Sequence, residues 1–392
     1  MNHHMTVSKP WRVASFVLLV LLAGSYVAAP YLRAASLVVR ASGMGGRIQA
    51  FADNQARAVN TVAPHQVPTR YGSVAAQFYR PAGSVRRSVL LVPGVHSMGI
   101  TEPRLTALAK QLAGSGVVVM TMALPDLMHY QITAQSADVI EDAIRWMAGR
   151  TDLAPDGKVG IVGISFAGGL SIVAAGRPSV RNQVAFLVSF GGHADLPRVM
   201  RYLCTGEEIR VQGVDTPPPH DYGVAVILYA AADRVVPPEQ VKALREGVET
   251  FLLASQLTLV DMQQANATFA RAREMAKSLP EPSATYLTYV NDRNVKALGP
   301  VLAPHLALEA DPAASPQQAA SPPAAPVFLL HGAEDTVIPA AESVILADYL
   351  RQRGVEVHLL LSRLITHAEV NKTAAASETW KLVTFWARVL EL

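Results

Sequence analysis

The chain predicts an α/β fold: a mostly parallel sheet flanked by helices, with a helical insertion and an apolar N-terminal segment. Three observations predict it. Short, continuous apolar runs bounded by turn residues recur as "SVLLVPG" (88–94), "GVVVMTM" (116–122), "KVGIVG" (158–163), "QVAFLVSFGG" (183–192), "APVFLLHG" (325–332) and "VEVHLLLS" (355–362). Such runs suit strands buried on both faces. Helical patterns alternate with them, through Leu105, Leu108, Ala109 and Leu112, then through Val139, Ile140, Ala143, Ile144 and Met147, then through "GGLSIVAAG". Strand alternating with helix means a parallel sheet covered on both sides. The alternation breaks for well over a hundred residues before residue 325 restores it, which marks an insertion.

In order along the chain, residues 13–29 read "VASFVLLVLLAGSYVAA" without a charge, after Lys9 and Arg12. This length sits at the lower edge for a membrane span and equally matches the apolar centre of a signal peptide. A cut after Ala29 would put Pro30 just past the scissile bond, and apolar residues resume at "AASLVV". Residues 1–40 are therefore read as a retained single-pass anchor in a lipid bilayer, with the bulk of the chain outside the cytoplasm. Residues 41–70, polar and punctuated by Gly and Pro, read as a stalk. The core is assigned to 71–192 and 325–392, opening with the strand-like "SVAAQFYRP" (73–81). Residues 193–310 read as a helical lid: "PPEQVKALREGVETFLL" places Val241, Leu244, Val248 and Phe251 at helical spacing, and 261–279 and 283–302 follow suit. Residues 311–324, "DPAASPQQAASPPA", read as a mobile linker.

Composition bounds the function. With 392 residues, half of them hydrophobic and 17% charged, the chain can bury a large core, which excludes a disordered protein. A net charge of +3 with no basic run interleaved with aromatics leaves nucleic acid without an electrostatic footprint. Cys204 is the single cysteine, so the chain holds neither an internal disulfide nor a Cys-rich metal site. The histidines show no metal-ligand spacing and no Gly pattern cradles a phosphate, so no metal and no organic cofactor is expected.

Chemistry points to "VGISFAGG" (162–169). Ser165 directly follows a buried strand and precedes a helix, in a turn so tight that Gly163, Ala167 and Gly168 must flank it. This geometry lifts the hydroxyl above the sheet edge and aims the free N–H groups of the helix at a developing oxyanion. A serine needs a base, and the base needs an orienting acid. "FLLHGAEDTVIP" offers Asp335 just past a strand, and "HLLLSRLITHAEV" offers His367 a few residues past the last one. All three follow strand C-termini, where parallel sheets place their sites. A rival acid, Asp233, lies in "VILYAAADRVVP", but three consecutive alanines favour helix there, so Asp335 is preferred. His96 beside the loop after the first core strand, and His193 in "FGGHADLP", are candidates for the substrate pocket. Asp195 is expected to cap a helix beginning at Leu196-Pro197.

On "LLVPG", "GISFAGG", "LLHGAEDTVIP" and "THAEV", residues 71–392 apart from the insertion resemble the α/β-hydrolase fold family, in its serine esterase and dienelactone-hydrolase-like branches. The resemblance implies Ser165 as nucleophile, His367 as general base, Asp335 as orienting acid, and an oxyanion hole from the Phe166 and Val95 N–H groups. The chain departs from the common His-Gly at that loop, carrying Pro93-Gly94, and from dienelactone hydrolases proper in having serine at the elbow. The reading is a serine hydrolase acting on a small-molecule carboxylic ester, possessing an apolar acyl or alcohol group. Peptide cleavage and acyl transfer on the same triad, and a non-catalytic membrane-anchored binding module, are the alternatives.

Overall fold

Nine strands form one sheet among the described residues, and its order follows from how each strand is wetted. The structure, a computed structural model, describes residues 27–43, 45–85, 87–258, 260–306, 310–365 and 376–392. Strands β4 (Ser88–Val92), β5 (Val118–Met122), β6 (Val159–Ile164), β7 (Val184–Phe190) and β8 (Val327–Gly332) are the apolar runs, buried on both faces and paired in parallel with β9 (Val357–Ser362) in the order β5-β4-β6-β7-β8-β9. Beside β5 lies β3 (Gly72–Pro81), antiparallel. Its outer edge is covered by two short antiparallel strands, β1 (Val59–Thr61) and β2 (His65–Thr69). Antiparallel strands at one edge of a parallel sheet in which β4 returns to lie between β5 and β6 give the topology of the α/β-hydrolase fold.

Alternating residues of each strand feed two cores. Leu90, Val92, Met120, Ile161, Leu187 and Leu329 face one side, with helices α5 (Ala134–Ala148), α6 (Phe166–Gly176) and α14 (Ala340–Gln352). Val89, Leu91, Val119, Val162, Val188 and Phe328 face the other, with α3 (Pro103–Gly114), α15 (Ala376–Glu391) and a helix over residues 27–42, here α1. Helix starts follow local chemistry. The Glu102 carboxylate accepts the Leu105 N–H at the head of α3, and Pro103 occupies its first turn, where a missing N–H costs nothing.

Between β7 and β8 the chain is helical: α7 (Leu196–Thr205), α8 (Asp221–Ala230), α9 (Ala232–Val235), α10 (Pro238–Leu257), α11 (Met262–Ser278), α12 (Ser283–Asn291) and α13 (Val295–Leu302). Asp195 caps α7 through the Arg198 N–H at 2.8 Å. The 283–302 pattern divides into two helices, because Asp292–Asn294 turns with Arg293 at φ 56°.

Three boundaries differ from the sequence reading. Residues 41–70 are not a stalk. They contribute α2 (Gly46–Gln55), β1 and β2, and Val67 is fully buried although the rest of β2 is solvated. Residues 34–40 belong to the domain rather than to a membrane segment: Ala34, Leu37 and Val38 pack into the second core, and Arg40 donates to the Gln111 carbonyl at 2.9 Å. No helix among the described residues is long and apolar enough to cross a membrane, and residues 13–26 lie outside them. The segment 311–324 is packed, not a loose tether. Ala314 and Ser315 are fully buried, the Ser315 hydroxyl accepts the Leu196 N–H, and the Ser321 hydroxyl donates to the Gly176 carbonyl. Its prolines set two short 3₁₀ turns, Pro312–Ala314 and Pro316–Gln318, which fit the groove beside α6.

Candidate active site

The parallel registers bring the strand ends to one edge: Val92 opposite Gly163, Ile164 opposite Phe190, Phe190 opposite Leu330 and Gly332 opposite Ser362. Ser165 stands at that edge, between β6 and α6, with φ 56° and ψ −135°. A side chain holds such angles only where its surroundings impose them, at a cost of about 1–3 kcal/mol. Here they do. The Ser165 N–H donates to the Phe190 carbonyl at 2.7 Å, and its carbonyl accepts the Gly168 N–H at 2.8 Å. A Cβ at Gly163 would lie 2.5 Å from the Ala167 carbonyl oxygen, and one at Gly168 2.4 Å from the Ser189 hydroxyl. Glycine is thus required at both places, because strand, turn and helix converge there.

Phe166 opens α6, so its N–H has no acceptor within the helix and points out of the helix N-terminus. The loop after β4 abuts the elbow: a Cβ at Gly94 would meet the Ser165 Cβ at 3.3 Å. Val95 follows directly. Val95 and Phe166 also line a narrow apolar recess, closed by Met200 and Leu203 of α7, Val226 of α8 and Val337. The helices of the insertion therefore roof the elbow with carbon.

Asp335 lies just beyond β8 and is buried. Its Oδ1 accepts the N–H groups of Val337 at 2.8 Å and Ile338 at 3.0 Å, which fixes the carboxylate in a tight turn of the chain. His331, in the same motif and fully buried, sets Nε2 3.4 Å from Asp335 Oδ2 and 2.7 Å from the Ile338 carbonyl oxygen, with Nδ1 2.6 Å from the Ser343 hydroxyl. In the sequence "LLHG" reads as strand and turn, and nothing in that reading gives His331 a role. The signal available was a histidine inside a run otherwise wholly apolar. His367 lies outside the described residues, as does the chain from 366 to 375.

The remaining candidates have other surroundings. His96 Nδ1 accepts the Met98 N–H at 3.1 Å, which shapes the loop after β4; burial lowers its pKa, against the pull of Glu102. His96 does not line the recess, nor does His193. His193 is fully buried behind Phe166 and bonds through Nε2 to the Ala314 carbonyl at 3.0 Å. A Cβ at Gly169 would meet its ring at 2.4 Å, so His193 packs into α6 instead of facing a substrate. Asp233 sits on α9, with its carboxylate 3.0 Å from the Arg245 guanidinium.

No protein-family profile matches the sequence, nor does any curated protein. Among solved structures the chain is similar to an esterase from Pyrobaculum calidifontis, at 15% identity and a TM-score of 0.46, over 94% of this chain and 92% of that one. It is similar to the acylaminoacyl peptidase of Pyrococcus horikoshii, at 11% identity and a TM-score of 0.44, over 88% of this chain and 43% of the peptidase. It is also similar to dipeptidyl peptidase 4 of Porphyromonas gingivalis, at 10% identity and a TM-score of 0.46, over 86% of this chain and 35% of the peptidase. What makes this an α/β-hydrolase fold is the strand order and the elbow.

Proposed function

We propose that this α/β-hydrolase-fold chain is a serine hydrolase that cleaves carboxylic esters of a small apolar acid or alcohol. One observation carries the reading: a serine held at φ 56° on a strand-to-helix turn, whose neighbours Phe166 and Val95 line an apolar recess between the core and the insertion. Ser165 Oγ attacks the ester carbonyl while His367 takes its proton, and Asp335 holds the imidazole in the required tautomer. In this reading the oxyanion forms against the Phe166 and Val95 N–H groups, backbone donors that need little reorganisation as the charge appears. His367 returns the proton to the leaving alcohol, and water then releases the acid from the acyl-enzyme. The recess receives the apolar group, since a site without polar lining rewards removal of carbon from water at about 25 cal/mol per Å².

The test is covalent. A fluorophosphonate should label the folded chain once, at Ser165. Labelling should vanish in Ser165→Ala and slow strongly in His367→Ala. A p-nitrophenyl ester series should then give free acid, with a preference for short or medium acyl chains. A folded chain that takes no label removes the serine mechanism, while a cleaved peptide or an acylated acceptor as product redirects it to peptidase or acyltransferase chemistry. The apolar segment before residue 27 is proposed to hold the domain at a bilayer. Carbonate-resistant sedimentation of the full chain, abolished by deleting residues 1–26, would support that.

A further inference from the structure

His331 is buried, polar and unnecessary to the steps just given, which makes its surroundings informative. The Ile338 carbonyl can only accept, so Nε2 at 2.7 Å from it must carry the proton. On the other side of the ring, Nδ1 and the Ser343 hydroxyl share a hydrogen bond of 2.6 Å. The Ile338 backbone is thereby held on both sides of its Cα: its carbonyl by His331 and its N–H by Asp335 Oδ1 at 3.0 Å. Nε2 also lies 3.4 Å from Asp335 Oδ2, so the imidazole abuts the second carboxylate oxygen while its N–H is donated to the Ile338 carbonyl. Ser343 belongs to α14 and His331 to β8, both inside the core. A relay from α14 through an imidazole thus reaches the carboxylate that sits on the loop.

We propose that His331 is a positioning residue that fixes the orientation of the Asp335 carboxylate. The proposal rests on Asp335 being the orienting acid of the triad. A loop carboxylate that loses one of its supports could swing by an ångström, and displacements of that size cost up to about a hundredfold in rate. The imidazole acts on that swing and touches no substrate, so its loss belongs in kcat and not in KM.

The experiment compares His331→Leu, His331→Gln, Ser343→Ala and Asp335→Asn in the full chain, with p-nitrophenyl butyrate as substrate and rates normalised to fluorophosphonate-titrated sites. His331→Leu should lower kcat by about tenfold to a hundredfold with KM within about twofold. His331→Gln, whose amide N–H can still reach the Ile338 carbonyl, should recover most of it. Combined with Asp335→Asn, His331→Leu should add little, since two residues acting through one carboxylate are not additive. If His331→Leu fails to fold, Ser343→Ala, with a smaller loss confined to kcat, carries the test. Full turnover in His331→Leu or, failing that, in Ser343→Ala overturns the proposal, as does a loss that persists undiminished on top of Asp335→Asn. Full activity in Asp335→Asn would instead overturn the choice of acid, and so identifies which of the two readings has failed.

Discussion

Ser165 occupies a backbone conformation that glycine adopts freely and any residue with a Cβ only under strain, and that separates stability from activity at one position. Ser165→Ala keeps the strained angles and removes only the hydroxyl. Ser165→Gly removes both, and should be inactive yet more stable than Ser165→Ala by about 1 kcal/mol, the strain released less the entropy added to the unfolded chain. Urea unfolding of the two variants checks this, and equal midpoints would mean that the elbow stores no strain. Gly163→Ala goes the other way. Its Cβ meets backbone, the Ala167 carbonyl at 2.5 Å, which cannot step aside without moving the nucleophile turn. Destabilisation of about 1–3 kcal/mol and loss of fluorophosphonate labelling are expected together. The places of Ser165 and Asp335 at strand ends were legible in the sequence because each follows a strand that announces itself by unbroken apolarity. The directions of His96 and His193 were not, because a loop side chain beside an active site reads the same whether it faces substrate or core.

Where the insertion leaves and rejoins the sheet, its two ends are tied to each other and to α14. The buried Glu342 carboxylate accepts the Ala194 and Asp195 N–H groups at 2.8 and 3.0 Å and pairs with Arg198 at 2.5 Å, while His193 reaches across to the Ala314 carbonyl. Burial lowers the His193 pKa, outweighing that carbonyl, Glu342 and Asp195, which favour the cation. A folded-state pKa below the ordinary value near 6.5 means that protonation favours the unfolded chain. The stability His193 permits is therefore complete above that value and falls as pH drops beneath it. Replacing it with an amide, His193→Gln, keeps a donor toward Ala314 and removes the titration. Urea midpoints at pH 7.5 and 5 should differ less in the variant than in wild type, and an unchanged difference would assign the slope to other groups. The packing of 311–324 was hidden from the sequence for the same reason that its ends matter: proline, alanine and serine look solvated until a partner more than a hundred residues away covers them.

Across the whole molecule, the boundary of the domain is the feature that sequence pattern placed least well. The cause is that apolarity marks burial without naming the solvent it escapes. "AASLVV" continues an apolar run and points to a bilayer, yet Ala34, Leu37 and Val38 are the inner stripe of α1 on the second core, beside α3 and α15. The polar positions of α1 argue for the same docking. Ser36 donates to the Ala52 carbonyl at 2.8 Å, Arg40 reaches the Gln111 carbonyl and the Ser115 hydroxyl at 2.9 and 3.0 Å, and Tyr31 stacks on Trp380 with centroids 5.8 Å apart. Such hydrogen bonds to loops and helices of the core have no use in lipid. Burying one leucine and one valine stabilises by about 1.5–3 kcal/mol each, so α1 contributes on the order of 5 kcal/mol with its hydrogen bonds, comparable with the total stability of many domains. A chain starting at residue 27 should therefore unfold cooperatively, whereas one starting at residue 48 should melt about 10 °C lower or fail to fold. Leu37→Ala in the full chain should cost about 2–5 kcal/mol, which checks the same contact without a truncation. Equal melting of the two fragments, with a silent Leu37→Ala, would return α1 to the status of a passenger and move the start of the folded domain beyond it.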